Sequence, residues 1–496
     1  MPELKASQLL TGAARTAAQS VAKSTTKHVT VGATAVGLAL AAVVVATAGP
    51  WDSSGQRKAE AVRAASQESG GGADHGRRTP GAPSAAPSAP AVLAAPGSSV
   101  PGPTKRALAD VLDPLLRNPD LGTRRAAAVV DAVTGERLYG KSAGDALTPA
   151  STTKIATAVA ALSAVGPDHR IATRTALEKD SAELVLIGGG DPTLTAREKN
   201  PYGAADLRTL ADETAASLKR GGTTEVTLSY DTSLYSGPAT HPIGPNENLA
   251  QVSALMVDEA RTDGSGSGPA PRAADPAAAA AATFAGLLHD RGIKTKGTPG
   301  PSKASGQAED VAKVESPQLS ALVERMLTHS DNDIAEALAR QVAVASDESH
   351  DFDGAGKAVE KQLEKLGLPL SGAHFADGSG LDRADKVSAA LLTELLTKAA
   401  DTTRPELRSV LTGLPVAGFT GTLSSRYEDE ADASGTGLVR AKTGTLTGVN
   451  TLAGTVVDAD GRLLVFAFMT EGAAVPSSAQ AGLDRLASSV ANCGCR

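Results

Sequence analysis

Three short motifs stand far apart along the chain, and together they restrict how it can fold. Ser151-Thr152-Thr153-Lys154 comes first, Ser330-Asp331-Asn332 follows, and Lys442-Thr443-Gly444 lies near the C-terminus. Each string alone would occur by chance in a chain of 496 residues. A hydroxyl at position 151 and amines at 154 and 442 can cooperate only if the fold brings them into one pocket. The chain is therefore predicted to fold so that these distant segments meet.

Ser151 and Lys154 have the spacing of a nucleophile and its base on one helix. Residues three apart lie on one helix face, so the Ser151 hydroxyl and the Lys154 amine can meet. An ammonium cannot accept a proton, so Lys154 has to be partly neutral, and burial beside Lys442 would lower its pKa. The Ser151 backbone N–H can form half of an oxyanion hole. Without its partners, such a string would more often be a helix cap beside a solvated lysine.

The second motif lies between two helical stretches and supplies a hydroxyl and a carboxamide. Ser330 can relay a proton between Lys154 and a leaving amine. The Asn332 carboxamide both donates and accepts, which suits the amide of a peptide substrate. Taken alone, the S-D-N string would be a helix cap.

The third motif follows a strand-like segment, where a sheet edge can bind an extended peptide. Lys442 and the Thr443 hydroxyl are expected to hold a substrate carboxylate, and Gly444 lets the two backbones come close. The Thr445 N–H is the expected second oxyanion donor. The trio is found in active-site serine enzymes of the penicillin-binding and β-lactamase type, so the motifs predict a serine acyltransferase.

From about Lys105 to Asn492 the chain resembles the D-alanyl-D-alanine carboxypeptidase/endopeptidase family, the class C low-molecular-mass penicillin-binding proteins. Beyond the trio, the resemblance rests on five strings, which are Leu184–Thr195, Asp231–Pro238, Val252–Arg261, Ala376–Arg383 and Leu414–Arg426. It implies hydrolysis of the terminal D-Ala-D-Ala bond or of peptide cross-bridges in peptidoglycan, and acylation by β-lactams. It also implies that Asp231 and Arg383 recognise the diaminoacid side chain of the stem peptide.

The resemblance and the order of elements predict an α+β fold with a β-lactamase/transpeptidase-like core. This core is an antiparallel sheet flanked by helices, with a helical subdomain beside it. Residues 105–170 and 318–496 are expected to form this catalytic domain, and residues 171–317 one or more inserted domains between the first two motifs. Within the insert, residues 264–282 are rich in Gly, Pro and Ala and are expected to form a loop.

The first 104 residues are predicted to export and tether the catalytic body. Residues 1–30 carry scattered cations and form a cytoplasmic leader. The uncharged residues 31–48 are just long enough to cross a bilayer as an anchor, or are a signal segment that is cleaved. Residues 49–104 are an Ala/Pro/Ser/Gly linker predicted to be disordered. The body would lie at the extracytoplasmic face of a bacterial cell membrane or be secreted to the cell wall.

Composition narrows the possible partners. A net charge of −7 without long charged runs gives no electrostatic reason to expect nucleic acid. The expected partners are peptidoglycan stem peptides and β-lactam antibiotics, with the membrane contacted through the N-terminal segment. No cluster has zinc-ligand spacing, and no metal or cofactor is expected. Cys493 and Cys495 could form a disulfide, a thiol pair or an adventitious metal contact, with no role in catalysis.

Two other functions remain open at this point. A serine β-lactamase would share the motifs, but Glu360-Lys361-Gln362-Leu363 is followed by Glu364 where class A β-lactamases carry Asn after their deacylating Glu-x-x-Leu string. The segment instead indicates an amphipathic helix, so slow turnover of a β-lactam acyl-enzyme is expected. A non-catalytic envelope protein that binds stem peptides would have no need of the complete set of motifs.

Overall fold

The computed structural model of the chain describes residues 102–200 and 202–495. The predicted leader, the membrane or signal segment and nearly all of the predicted linker lie outside these residues. The strands are β1 (Arg124–Asp131), β2 (Arg137–Lys141), β3 (Ala146–Leu147), β4 (Ala172–Leu177), β5 (Glu183–Ile187), β6 (Glu225–Asp231), β7 (Lys294–Pro301), β8 (Glu309–Glu315), β9 (Val387–Ser388), β10 (Val439–Leu446), β11 (Val449–Val457) and β12 (Leu463–Glu471). The α-helices are α1 (Lys105–Leu116), α2 (Thr153–Val165), α3 (Leu207–Arg220), α4 (Pro276–Asp290), α5 (Leu319–His329), α6 (Asn332–Val344), α7 (Phe352–Lys365), α8 (Ala389–Ala400), α9 (Arg408–Thr412) and α10 (Pro476–Ala491).

The first sheet joins both ends of the described chain in the order β10-β11-β12-β1-β2, with every neighbouring pair antiparallel. Alternate residues of each strand face opposite sides, so the sheet separates two apolar cores. Ala128 belongs to a core that includes residues of α2 and α8, whereas Val129 belongs to a core that includes residues of α1 and α10. This sheet is the antiparallel sheet flanked by helices that the sequence predicts. The predicted α+β fold class is likewise confirmed.

The few aromatic side chains of this sheet are concentrated on one face of β12. Phe466 and Phe468 are fully buried there, with ring centroids 5.1 Å apart. Most of their neighbours are aliphatic, including Leu452 and Leu483. Because a phenyl ring is much larger than these neighbours, its removal would leave a cavity that they cannot fill.

We expect Phe466→Ala to lower the free energy of unfolding by about 3–5 kcal/mol, from lost burial and the cavity left behind. Urea denaturation of the full chain measures the change. Val133→Ala is the control: Val133 is 52% exposed in the β1–β2 turn, and its truncation should change stability by less than about 0.5 kcal/mol. Equal stability of the two variants would contradict this assignment of the core.

Helix α2 is the centre of the all-helical part of the fold. Every residue from Thr153 to Leu162 is buried, which explains why this helix is apolar on all sides. It packs against α5, α6, α7 and α8. The sequence predicted that Ser151 lies within this helix; the structure instead places Ser151 in a 3₁₀ turn, Ala150–Thr152, that leads directly into it. The tighter turn still keeps Ser151 beside Lys154.

A second sheet lies between the first two motifs along the chain, in the order β7-β6-β5-β4-β8. Strands β5, β6 and β7 are parallel, and the other pairs are antiparallel. Helices α3 and α4 cover it through a separate apolar core. The predicted loop at 264–282 is partly wrong, because α4 begins at Pro276 with the Asp275 side chain as its N-cap. Six consecutive alanines after Pro276 favour helix, although such composition resembles low complexity.

Two further features concern the ends of the chain. Cys493 and Cys495 are joined by a disulfide bond that follows α10. Across residues 102–200 and 202–495, no helix is long and apolar enough to span a membrane. The segment predicted to do so, residues 31–48, lies outside this range.

Candidate active site

The predicted nucleophile and base lie beside each other at the N-terminal end of α2. The Lys154 Nζ atom is 3.0 Å from the Ser151 Oγ atom. Ser151 is half-buried, whereas Lys154 is fully buried. Ala150, just before the serine, has a φ of 49°, a left-handed conformation that is costly for a residue with a side chain. The turn therefore presents the hydroxyl toward solvent while the helix keeps the amine inside.

The Lys154 amine is surrounded by oxygen atoms of neutral groups. Its Nζ atom donates to the Asn332 side-chain carbonyl at 2.7 Å and to the Ser379 backbone carbonyl at 2.6 Å. Burial lowers the pKa of Lys154 to about 8, although the charges of nearby carboxylates, Asp377 foremost, oppose this shift. A substantial fraction of this amine is therefore neutral near pH 8 and can accept a proton from Ser151.

The second and third motifs meet through a hydrogen bond. Helix α5 ends at His329 and is capped by Ser330, whose φ of 57° turns the chain into α6 and directs its hydroxyl toward the sheet. The Lys442 Nζ atom is 2.9 Å from the Ser330 Oγ atom. Burial, together with the charge of nearby Lys154, holds the pKa of Lys442 well below its usual range. Two amines and two hydroxyls thus converge in one pocket.

Asn332, at the start of α6, hydrogen-bonds both to α2 and to the chain between the first two motifs. Its Oδ1 atom accepts from Lys154, and its Nδ2 atom donates to the Asn248 carbonyl at 2.9 Å. Two residues further on, the Ala250 N–H donates to the Asp333 carboxylate at 2.9 Å. The orientation of the carboxamide is therefore fixed, with one N–H left for another acceptor.

Strand β10 carries the third motif at the edge of the first sheet. A segment at 415–417 pairs with its first half: the Ala441 N–H donates to the Pro415 carbonyl, and the Ala417 N–H to the Val439 carbonyl. Backbone groups along a strand point alternately to its two sides. The N–H and C=O groups of Thr443 and Thr445 therefore also point away from β11. Beyond the covered half, this edge can pair with an extended peptide.

Gly444 allows the sheet edge to approach the Ser151 turn. A Cβ atom at this position would lie 2.6 Å from the Pro149 carbonyl oxygen and 2.1 Å from the Thr451 hydroxyl. The Thr443 hydroxyl is 2.8 Å from the Thr422 hydroxyl, and Thr445 is exposed. A larger residue at 444 would thus push β10 away from the turn that carries Ser151.

Arg383 and Asp231, the two residues that the resemblance assigns to the stem-peptide side chain, lie in different surroundings. The exposed Arg383 donates to the Thr447 carbonyl at 2.7 Å, in the turn after β10. Asp231 ends β6 in the second sheet, where its carboxylate accepts from the Ser233 N–H at 2.7 Å and the Ala304 N–H at 3.0 Å. Their proposed recognition of a diaminoacid stays a prediction.

Sequence reasoning missed a loop that contacts the predicted base. This loop, residues 377–380, contributes the Ser379 carbonyl that binds Lys154. The string Ala376–Arg383 supported the family resemblance, yet only Arg383 was given a role. The contact uses a backbone oxygen, and no side-chain pattern could have indicated it.

Two buried groups of side chains have the residue types of metal ligands. Glu259, Asp331 and Asp333 form one group, but arginines already pair with it: Arg272 lies 2.8 Å from Asp333, and Arg261 lies 2.7 Å from Glu259. His241, Glu336 and Asp377 form the other, in which the histidine already hydrogen-bonds Asp377. Neither group offers a free set of ligands, and we assign no metal to them.

Comparison with known proteins identifies the family. The model of the D-Ala-D-Ala carboxypeptidase 3 (S13) family matches residues 108–267 and 262–490. The chain belongs to this family. It is 36% identical to Carboxypeptidase DacB of Mycolicibacterium smegmatis, over 93% of this chain and 97% of that protein. It is 34% identical to Carboxypeptidase Rv3627c of Mycobacterium tuberculosis, over 86% of this chain and 92% of that protein.

The fold agrees with a solved structure of a similar protein. Penicillin binding protein 4 of Haemophilus influenzae matches 76% of this chain and 97% of its own, with a TM-score of 0.63 and 22% identity. At that identity the match shows the fold alone. The S13 family and its carboxypeptidase members make this chain a serine-type D-Ala-D-Ala carboxypeptidase, which confirms the enzyme class predicted from the motifs. A purely stem-peptide-binding role is thereby set aside.

Proposed function

We propose that this S13 family member cleaves peptidoglycan stem peptides by acyl transfer through Ser151, with Lys154 as the base. The observation that carries the proposal is the 3.0 Å contact between a buried, partly neutral lysine and an accessible hydroxyl. In the first step Lys154 takes the Ser151 proton as Oγ attacks the carbonyl carbon of the penultimate D-Ala. An ester to Ser151 forms, and the peptide bond to the last D-Ala breaks.

The developing negative charge on the carbonyl oxygen needs donors placed before the reaction. The backbone N–H groups of Ser151 and Thr445 are assigned this role, because the first belongs to the turn before α2 and the second points to the open edge of β10. Lys442 and the Thr443 hydroxyl would bind the terminal carboxylate, and Asn332 the amide of the substrate backbone.

The departing D-Ala must gain a proton as its bond breaks. The Ser330 hydroxyl accepts from Lys442, so Lys442 orients the group to which we assign the proton relay. The proton that Lys154 received is passed to the leaving nitrogen through Ser330, and the amine departs neutral. Water then attacks the ester, with Lys154 again as base, and Ser151 is regenerated. Atoms and charge balance over the cycle without a cofactor.

Acylation is expected to depend on pH through Lys154. Below pH 8 the rate of Ser151 acylation should fall about tenfold per pH unit, because the ammonium form cannot accept the serine proton. Above that pH the rate should reach a plateau. Rate constants for labelling by a fluorescent penicillin, measured from about pH 6 to about pH 10, test this. A rate that stays constant between pH 6 and 9 would contradict the assignment of Lys154 as the base.

We further propose that the enzyme acts outside the cytoplasm, on both stem-peptide ends and cross-bridges. A relative from Actinomadura named D-alanyl-D-alanine carboxypeptidase supports the first substrate. The open edge of β10 supports the second, because it offers pairing to an extended chain beyond the bond that is cleaved. Export and attachment through residues 31–48 remain part of the proposal, as does the assignment of residues 171–317 as a separate inserted domain.

Acylation by β-lactams belongs to the same mechanism. The amide of a β-lactam would occupy the place of the D-Ala-D-Ala bond, and Ser151 would open the ring. The structure of the Haemophilus influenzae protein in complex with a β-lactam supports this part of the proposal. The predicted helix around Glu360 is present as α7. The next residue, Lys361, forms an ion pair with Glu348. We therefore expect slow release of the opened drug.

Release of D-Ala tests the proposed function directly. Synthetic tripeptides ending in Lys-D-Ala-D-Ala, and a cross-linked muropeptide dimer, are incubated with the full chain. Free D-Ala is measured from the first substrate and monomers from the second. Release from both supports a combined activity, and D-Ala alone restricts it to the carboxypeptidase. Rapid, repeated hydrolysis of penicillin with no release from either peptide would overturn the proposal in favour of a β-lactamase.

A further inference from the structure

His241, a buried histidine from the chain between the first two motifs, contacts the loop that binds the Lys154 amine. It is 4% exposed, and its Nε2 atom lies 3.1 Å from the Asp377 Oδ2 atom. The Phe352 ring contacts the imidazole edge to face, with centroids 4.9 Å apart. A polar ring in such surroundings needs its hydrogen bonds, because an unpartnered buried donor is costly.

Both ring nitrogens of His241 are occupied, which fixes the ring. The Ile243 backbone N–H points at the Nδ1 atom from 3.3 Å. Nδ1 is thus an acceptor in the neutral ring, and the proton lies on Nε2. Nε2 therefore donates to Asp377 in the neutral ring and would also do so in the charged ring.

Asp377 in turn shapes the loop that contacts Lys154. Its Oδ1 atom accepts from the Ser379 N–H at 2.9 Å and from the Gly380 N–H, and its Oδ2 atom accepts from the Asp382 N–H at 2.7 Å. The same turn directs the Ser379 carbonyl to the Lys154 amine, 2.6 Å away. A continuous series of hydrogen bonds thus runs from His241 to the amine.

Burial and the nearby carboxylates have opposite effects on the pKa of Lys154. Burial lowers the pKa of Lys154, and the Asp377 charge opposes the shift more than any other carboxylate. A donor on Asp377 offsets part of its negative field. The charged or titratable groups facing Lys154 are Asp331, Glu336, Asp377, Asp385 and Lys442, and those facing His241 are Glu336, Asp377 and Asp382.

We propose that His241 is a positioning residue for acylation, acting through Asp377 and the Ser379 carbonyl to hold the Lys154 amine beside Ser151. The inference rests on the proposed function, because it assumes that Lys154 is the base. It assigns a catalytic consequence to a histidine outside the three motifs. A base displaced by about 1 Å can slow a reaction by about a hundredfold.

Two amide substitutions separate the two hydrogen bonds of the ring. In His241→Asn the short side chain can still accept from Ile243 but cannot reach Asp377. In His241→Gln the longer side chain can still donate to Asp377. We expect His241→Asn to lower the rate constant for Ser151 labelling between about tenfold and a hundredfold. We expect the labelling rate constant of His241→Gln to stay within about threefold of wild type, because the donor to Asp377 is kept.

The pH profile supplies a readout that a loss of stability alone would not move. Without its donor, Asp377 exerts more of its field on Lys154, so the acid limb of the labelling rate should shift to higher pH in His241→Asn and not in His241→Gln. Thermal melting of each variant verifies that it is folded at the assay temperature. Equal rates and profiles in both variants, whether fast or slow, would overturn the inference.

A second variant covers the case in which His241→Asn does not fold. Asp377→Asn removes the charge that raises the Lys154 pKa, so its acid limb should shift to lower pH while the plateau rate falls. An unchanged limb and plateau would overturn the inference. Wild-type protein that is never labelled at Ser151 would instead overturn the proposed function itself, so the two failures can be told apart.

Discussion

Replacing Ser151 with alanine is expected to lower D-Ala release from a Lys-D-Ala-D-Ala peptide by at least about 10⁴-fold, because no acyl-enzyme can form. Substrate binding should persist, since Lys442, Thr443 and Asn332 remain in place. Ser151 is half-buried in a 3₁₀ turn, so loss of one oxygen atom should change stability little. Steady-state kinetics and thermal melting of the full chain measure both effects.

Ser163→Ala is the matched control for this experiment. Ser163 lies about three helical turns beyond Ser151, where its hydroxyl donates to the Val159 carbonyl at 2.6 Å and contacts no group of the active site. Its removal should leave D-Ala release within about twofold of wild type. If Ser151→Ala retained a tenth of the wild-type rate, Ser151 would not be the nucleophile.

Removing the amine of Lys154 is expected to have the second-largest effect. In Lys154→Met the side chain keeps its approximate length, but Ser151 loses the base 3.0 Å away, and acylation should slow by about 10³-fold or more. Lys154→Arg keeps a positive charge that cannot be removed at accessible pH, so we expect a comparable loss. Rate constants for penicillin labelling and for D-Ala release measure both variants.

The arginine variant distinguishes a base from a charge. If Lys154 served only to attract the substrate or to stabilise negative charge, Lys154→Arg would retain much of the activity while Lys154→Met would lose it. That outcome would contradict the mechanism proposed above. Loss in both variants, with thermal melting near that of wild type, agrees with a neutral amine that accepts the Ser151 proton.

Much of the site could be predicted because its chemistry resides in side chains within short motifs. Ser151, Lys154, Ser330, Asn332 and Lys442 are each of a type and spacing that the reaction requires. The sheet between the chain ends was also predictable, since its strands are apolar or alternating runs bounded by turn residues. These features are local in sequence. The three motifs were expected to lie together because one reaction needs all of them.

The remainder depends on contacts that no local pattern encodes. The Ser379 carbonyl is a backbone atom, and its direction depends on the hydrogen bonds made by Asp377. His241 reaches that aspartate from a stretch with no regular element, where glycine and proline conceal any periodicity. The 3₁₀ turn at Ser151 lies close to Gly444 and Gly380, which are distant in sequence, so its local sequence does not show these contacts.

Strand pairing within residues 171–317 likewise depends on contacts between segments that are distant in sequence. Residues 171–317 were predicted to form one or more inserted domains, but the parallel pairing of β5 with β6 and the edge strands β7 and β8 were not predicted. Lys, Glu, Gly and Pro dominate those edge strands, which are mostly exposed and carry little of the apolar pattern that identifies a strand. Pairing partners distant in sequence are therefore not apparent from composition.

The mass of the acylated protein tests the central claim most directly. The full chain is incubated with a β-lactam, digested with a protease, and the modified peptide is sequenced by mass spectrometry. We predict one adduct per chain, equal in mass to the intact drug and located at Ser151, with none on Ser151→Ala. An adduct on another residue, or no adduct on a folded protein that releases D-Ala, would contradict a mechanism built on Ser151, Lys154 and Lys442.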